Sequence, residues 1–125
     1  VTDLNSILET KKAMQGKPVI VLMALTSPTV MAEFEKQASG IIVSFGVQDQ
    51  ALLEIISGKA EPSGLLPVQM PADMRTVELQ QEDVPRDMEC YRDSEGLSYD
   101  FGVGLNWKGV ISDNRTAKYK RPALR

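Results

Sequence analysis

An α/β fold, a three-layer α/β/α sandwich around a mostly parallel open sheet, is the architecture this sequence predicts. Three observations carry the prediction. Helix-patterned and strand-patterned segments alternate from Leu4 to Pro71. The strand candidates are short, continuous apolar runs, the pattern of strands covered on both faces. Glycines and prolines stand at the joints between the two kinds of segment. Alternation of this kind implies right-handed crossovers between parallel strands.

The first segment, TDLNSILETKKAMQGKP, reads as a helix. Leu4, Ile7, Leu8 and Met14 fall near one face, and Lys11 and Lys12 stand toward the end where cations suit the dipole. Thr2 or Asp3 supplies the start, and Gly16 before Pro18 marks the stop. PVIVLMAL, Pro18 to Leu25, follows as a buried strand. After TSP, residues Val30, Met31, Phe34 and Ala38 take helical spacing, with Glu33 and Glu35 directed elsewhere. Gly40 then releases the chain into IIVSF, Ile41 to Phe45, a second buried strand. In GVQDQALLEIISG, Asp49 is the N-cap, Leu52, Ile55 and Ile56 form the apolar stripe, and Gly58 is the C-terminal stop. LLPVQMP is the third strand candidate, and Pro67, lacking an N–H, assigns its position to a strand start or an edge.

The densest punctuation is SGKAEPSGLLPVQMP, Ser57 to Pro71. There a helix must stop, turn and feed a strand in little space. Gly58 takes the left-handed geometry that ends a helix, Pro62 fixes φ, and Gly64 takes a positive φ before the strand. Beyond it, residues 72–100 lose apolar periodicity and carry nine acidic residues against three basic ones, which reads as a long surface excursion. Residues 108–125 carry six basic residues and one acidic, Asp113, and read as a basic, solvated C-terminal extension. The domain unit is therefore residues 1–107.

Composition narrows the function. At 125 residues the chain suits one domain with a modest core, and its 42% hydrophobic and 25% charged content is ordinary for a globular protein. No apolar run is long enough to span a bilayer, so no membrane partner is expected. A net charge of −3 argues against nucleic acid. The absence of histidine removes Ser-His and Cys-His nucleophile pairs and imidazole metal sites. With Cys90 alone there is no intramolecular disulfide and no thiolate zinc cluster. No basic cluster surrounds Cys90 to activate it, so it reads as an ordinary thiol. No cofactor or metal is expected.

Carboxylates remain the main candidates for chemistry. Glu33 and Glu35 are two apart in a helical pattern and do not share a face. Glu82 and Asp83, or Glu89 and Asp93, sit in the acidic excursion without apolar cover to raise a pKa. Each reads as solvated charge. Ser63 has no histidine to serve it and no nucleophile elbow, so its role is the turn. Tyr99, Phe101 and Trp107 are the aromatics on which a sugar could stack, and their plainer reading is to anchor the excursion onto the sheet. Asn114-Arg115-Thr116 formally matches a glycosylation acceptor. The glycines of FGVG do not follow a strand and open a helix, which excludes a dinucleotide loop.

PVIVLMAL, then G-K-x-x-P-S-G-x-L-P-V-x-x-P, then Y-D-F-G-V-G-L-N-W occur here in an order and spacing that resemble the C-terminal α/β-sandwich domain of glycoside hydrolase family 3. Gly58, Pro62, Ser63, Gly64, Leu66, Pro67 and Pro71 fit the middle motif. Tyr99, Phe101, Gly102, Gly104, Leu105 and Asn106 fit the last, Asn106 standing where serine is more frequent. The resemblance covers roughly Leu4 to Trp107. It implies a β-glucosidase-like parent that hydrolyses terminal β-linked sugars, and a sandwich incomplete at its N-terminus, beginning partway into the domain. Where the family often carries PGxEGG, a segment near the sugar site in some relatives, this chain has FGVQDQA; Gln48 and Asp49 are the sugar-site neighbours the resemblance suggests.

A retaining glycosidase uses two carboxyl groups about 5–5.5 Å apart. In the family resembled, the nucleophilic aspartate lies on a (β/α)8 barrel and the acid/base glutamate upstream of the PVVVV-like strand. Both positions precede Val1, so no catalytic residue is expected here and the fragment is expected to be inactive alone. The implied partners are the missing N-terminal barrel and, in the parent, a carbohydrate substrate. An interface left bare by the barrel implies self-association, and the relatives imply a periplasmic or secreted location. The competing reading is a free-standing α/β interaction or small-ligand-binding module. A flavodoxin-like receiver lacks its phosphate loop and acidic pocket.

Overall fold

The computed structural model describes residues 3–119. The element order is α1 (Asp3–Ala13), β1 (Ile20–Ala24), a 3-10 turn (Glu35–Gln37), β2 (Gly40–Ser44), α2 (Asp49–Ile56), α3 (Met74–Leu79), β3 (Leu105–Asn106), β4 (Gly109–Val110) and α4 (Asn114–Tyr119). The arrangement is α/β. β1 and β2 pair in parallel, Ile20 opposite Gly40 through Ala24 opposite Ser44, as two apolar β-branched runs with helical segments between and after them should. Two strands make up this sheet among the described residues, and a separate antiparallel pair, β3–β4, lies near the C-terminal end.

Alternation along β1 puts Val21 inward and leaves Ile20 and Leu22 46% and 43% exposed on the opposite face. The core gathers on the inward face. Val21, Met31, Phe34, Met70 and Tyr91 are buried together, and Leu4, Ile7, Met23, Ile41 and Val43 pack against them. Leu4 and Ile7 thus turn inward as their spacing predicts, while Leu8 and Met14 stay exposed.

Several expectations are corrected. The helix expected over Val30–Ala38 is a single turn followed by the 3-10 segment: the Glu35 N–H reaches the Met31 carbonyl at 2.9 Å, then Ala38 reaches back only to Glu35. The Ser39 N–H donates to the Val19 carbonyl at 2.7 Å, so the chain must be extended again by that point. One turn suffices to bury Met31 and Phe34.

The third strand candidate does not join β1 and β2. Its backbone bonds run to the returning loop instead, from the Leu66 N–H to the Val103 carbonyl at 2.8 Å and from the Met70 N–H to the Tyr99 carbonyl at 2.9 Å. Pro67 brings no N–H to a ladder. Gly64, expected at positive φ, is absent from the left-handed region that Gly58 and Gly102 occupy.

The stop at Gly58 is as expected. Its φ is +76°, and the Lys59 N–H reaches the Glu54 carbonyl while the Gly58 N–H reaches Ile55, at 2.9 and 3.1 Å, the bonding of a Schellman motif. The helix start is one residue earlier than expected: Gln48, extended, is the N-cap without a side-chain bond, and Asp49 lies in the first turn. Thr2, the alternative start of α1, lies outside the described residues.

Residues 73–87 are exposed apart from half-buried Thr76 and Arg86. Within them Asp73 caps α3, accepting from the Thr76 N–H at 2.7 Å; this bond holds its carboxyl below the usual range. The excursion returns through buried Met88 and Tyr91. Where the sequence reads as a solvated end, the chain forms β4 and α4 and buries Ile111 and Thr116.

Candidate functional site

The PSG turn and the FGVG segment lie against each other. A Cβ on Gly104 would collide with the Gly64 carbonyl, so the glycine is required by close backbone approach. At Gly102, φ is +82° and a Cβ would meet the Tyr119 side chain. Arg115, from α4, donates through Nη1 to the Ser63 carbonyl at 2.9 Å, while its Nη2 and Nε engage Asp113 Oδ2 at 2.9 and 3.1 Å. This pairing holds the Asp113 carboxyl below the usual range. Ser63 is thus a turn residue pinned through its carbonyl.

A groove of about 640 Å3 opens between this turn and β2. Its polar part contains Glu35, Asp93, Glu95 and Tyr99. Glu35 was expected to point into solvent. It is half-buried, and Oε2 accepts from the Tyr91 hydroxyl at 2.9 Å and Oε1 from the Tyr99 hydroxyl at 3.4 Å. The two tyrosine rings meet edge to face, centroids 5.3 Å apart. Burial, then the bond to Glu35, pushes the Tyr91 phenol up to about 12. Burial and the nearby Glu35 charge raise Tyr99 as well. Both phenols therefore stay neutral donors at physiological pH. Asp93 Oδ1 accepts from the Glu95 and Leu97 N–H groups at 3.0 and 2.9 Å, an Asx-turn that shapes the rim.

A second polar cluster lies outside the groove's lining. Gln69 Nε2 donates to Asp100 Oδ1 at 2.8 Å and approaches Cys90 Sγ at 3.3 Å. Burial, then the Asp100 charge, pushes the Cys90 thiol up to about 11, away from reactivity.

No Asp or Glu is buried among the described residues. A glycosidase acid needs a carboxyl sheltered from water, and no member of the candidate pairs is buried. No group of three or more His, Cys, Asp or Glu that could hold a metal occurs among the described residues. No helix there is long and apolar enough to cross a membrane. Gln48 and Asp49 are both exposed at the start of α2, and neither is among the residues around the groove. Tyr99 anchors to the core, Phe101 stacks edge-on with Tyr119 at 4.9 Å, and Trp107 is 63% exposed. The Glu35–Tyr91–Tyr99 cluster had no local signal in the sequence, because its members lie 56 and 64 residues apart.

These features define an α/β unit whose signature glycines and prolines shape a turn and a groove, with no buried carboxyl among the described residues. Residues 3–107 match the Glycosyl hydrolase family 3 C-terminal domain. The chain belongs to that family.

Over 98 residues it is 38% identical to Beta-glucosidase C of Emericella nidulans, covering 73% of this chain and 16% of that protein. Probable beta-glucosidase C of Aspergillus oryzae is 37% identical over 98 residues, 73% of this chain and 15% of its own length. The Periplasmic beta-glucosidase/beta-xylosidase of Dickeya chrysanthemi is 28% identical over 94 residues, 75% of this chain and 14% of its own. The chain thus spans a small part of the curated relatives it matches. No solved structure gives a significant match.

Proposed function

We propose that this chain is part of the C-terminal sandwich of a β-glucosidase-like enzyme that hydrolyses terminal β-linked sugars, and that alone it is inactive. The observation that carries the reading is the family match over residues 3–107, joined to the lack of any buried carboxyl among the described residues. Two paired carboxyls are what retaining hydrolysis needs; in this reading both come from the rest of the enzyme, the nucleophile from an N-terminal barrel. The unit is residues 1–107, with 72–100 as its surface excursion and 108–125 as a C-terminal extension. Gln48 and Asp49, exposed at the start of α2, are its sugar-site neighbours.

In the parent the exposed face of β1, with Ile20 and Leu22, is covered by further helices, completing a three-layer sandwich. Left uncovered, that apolar face drives self-association of the fragment; sedimentation at rising concentration should show mass above the monomer. The purified chain should release no p-nitrophenol from aryl β-glucosides above the buffer rate. Product release proportional to chain concentration would overturn the inactivity. Reading the frame upstream of Val1 tests the parent: a barrel with an aspartate in an SDW-like context is expected.

A further inference from the structure

We propose that the groove beside β2 receives one extended polypeptide strand, apolar along its length and ending in a lysine or arginine. The inference stands on the groove alone and is independent of the glycosidase reading. β2 pairs with β1 on one side, and on its other side no strand pairs with it among the described residues. All five residues of β2, Gly40–Ser44, border the groove. An uncovered edge of this kind offers a row of backbone donors and acceptors that another strand completes.

The opposite wall cannot close the gap itself. It is formed by Pro62–Pro67, whose two prolines bring no N–H to a ladder. The wall is also tied to the returning loop, with the Leu66 N–H on the Val103 carbonyl and the Gly102 N–H on the Leu66 carbonyl, both at 2.8 Å. The gap is therefore fixed rather than collapsed.

Its size fits a strand. From residue rise, strand spacing and sheet separation, one strand residue occupies about 160 Å3 of a packed sheet. A groove of about 640 Å3 has room for about four, close to the length of β2. Ile42 and Val47 on one side and Leu65 and Leu105 on the other give it apolar walls. Charge selects the end of the partner: Glu35, Asp93 and Glu95 border the groove, and no lysine or arginine does.

The test titrates the 125-residue chain into a fluorescent hexapeptide of alternating valine and alanine ending in lysine. We expect saturable binding, with amide-exchange protection of residues 40–44. A copy N-methylated at alternate backbone nitrogens keeps every side chain and loses ladder donors; it should bind at least about tenfold more weakly. A glutamate-ended copy should bind about threefold more weakly at low salt, and Glu95→Gln, at an exposed position, should narrow that difference. Equal affinity for the N-methylated copy would reduce the effect to apolar adhesion and overturn the proposal. So would protection elsewhere on the molecule, protection of residues 40–44 in a peptide-free dimer, which would make a second copy the occupant, or displacement of the peptide by cellobiose, which would make the groove a small-ligand site.

Discussion

The two halves of the molecule differ in regularity, while the buried core draws on both. Residues 3–58 contain the parallel strand pair and the two longest helices, yet α1 and α2 hold no buried residue and β1 exposes one of its faces. Residues 62–119 are mostly irregular, yet they hold Met70 and Pro71, Met88, Tyr91, Ile111 and Thr116, all buried. The second half carries hydrogen bonds of its own, with Gln69 on Asp100 and Arg115 on the Ser63 carbonyl. Regular secondary structure here leaves apolar side chains at the surface, whereas the irregular half buries its own against the inward face of β1. Helices gain most of their stability from packing an amphipathic face, and α2 leaves Leu53 and Ile56 exposed.

The largest expected effect tests this division directly. Met70→Ala removes a side chain with no exposed surface and should cost about 2–5 kcal/mol, read from urea unfolding. Leu53→Ala, in α2 and 57% exposed, should change stability by less than about 0.5 kcal/mol. Equal losses would mean that α2 is packed as firmly as the irregular half. Next in size, Gly104→Ala drives a methyl into the Gly64 carbonyl and should cost about 1–3 kcal/mol, with faster amide exchange across Gly102–Gly104. A neutral outcome would show that the second half adapts more freely than its bonding indicates.

The smallest effect sharpens the link between the halves, the bond from Tyr91 to Glu35. Tyr91→Phe should cost about 1 kcal/mol near neutral pH. The folded phenol lies at about 12, above its ordinary value of 10.0, so its stabilisation is complete below pH 10 and falls away as pH rises through 12. Cys90, raised to about 11, acts with the same sign. The midpoint of urea unfolding should therefore fall between pH 9 and 12, and less steeply in Tyr91→Phe. An unchanged slope would remove Tyr91 from the alkaline transition.

Local pattern made some of this readable. The spacing of Met31 and Phe34 identified core residues although the helix it implied shrank to a turn, because burial follows side-chain direction and helix length follows where the backbone must next extend. The apolar runs of β1 and β2 declared themselves, and Gly58 ended its helix as its conformational freedom requires. The family motifs, read over Leu4–Trp107, coincide with the matched residues 3–107. Long-range partnerships were not readable. Nothing beside Glu35 signals two tyrosines far along the chain, and nothing in LLPVQMP says that its bonds go to residues 99–103 instead of to β2. At Gly104 the sequence marked the residue without the reason, which is a neighbouring carbonyl at the place of a methyl.

The bond from Arg115 to the Ser63 carbonyl reaches across the family boundary at residue 107. The signature turn is thus steadied by a residue that lies beyond the matched stretch. A chain trimmed at that boundary would keep the motif and lose its mooring.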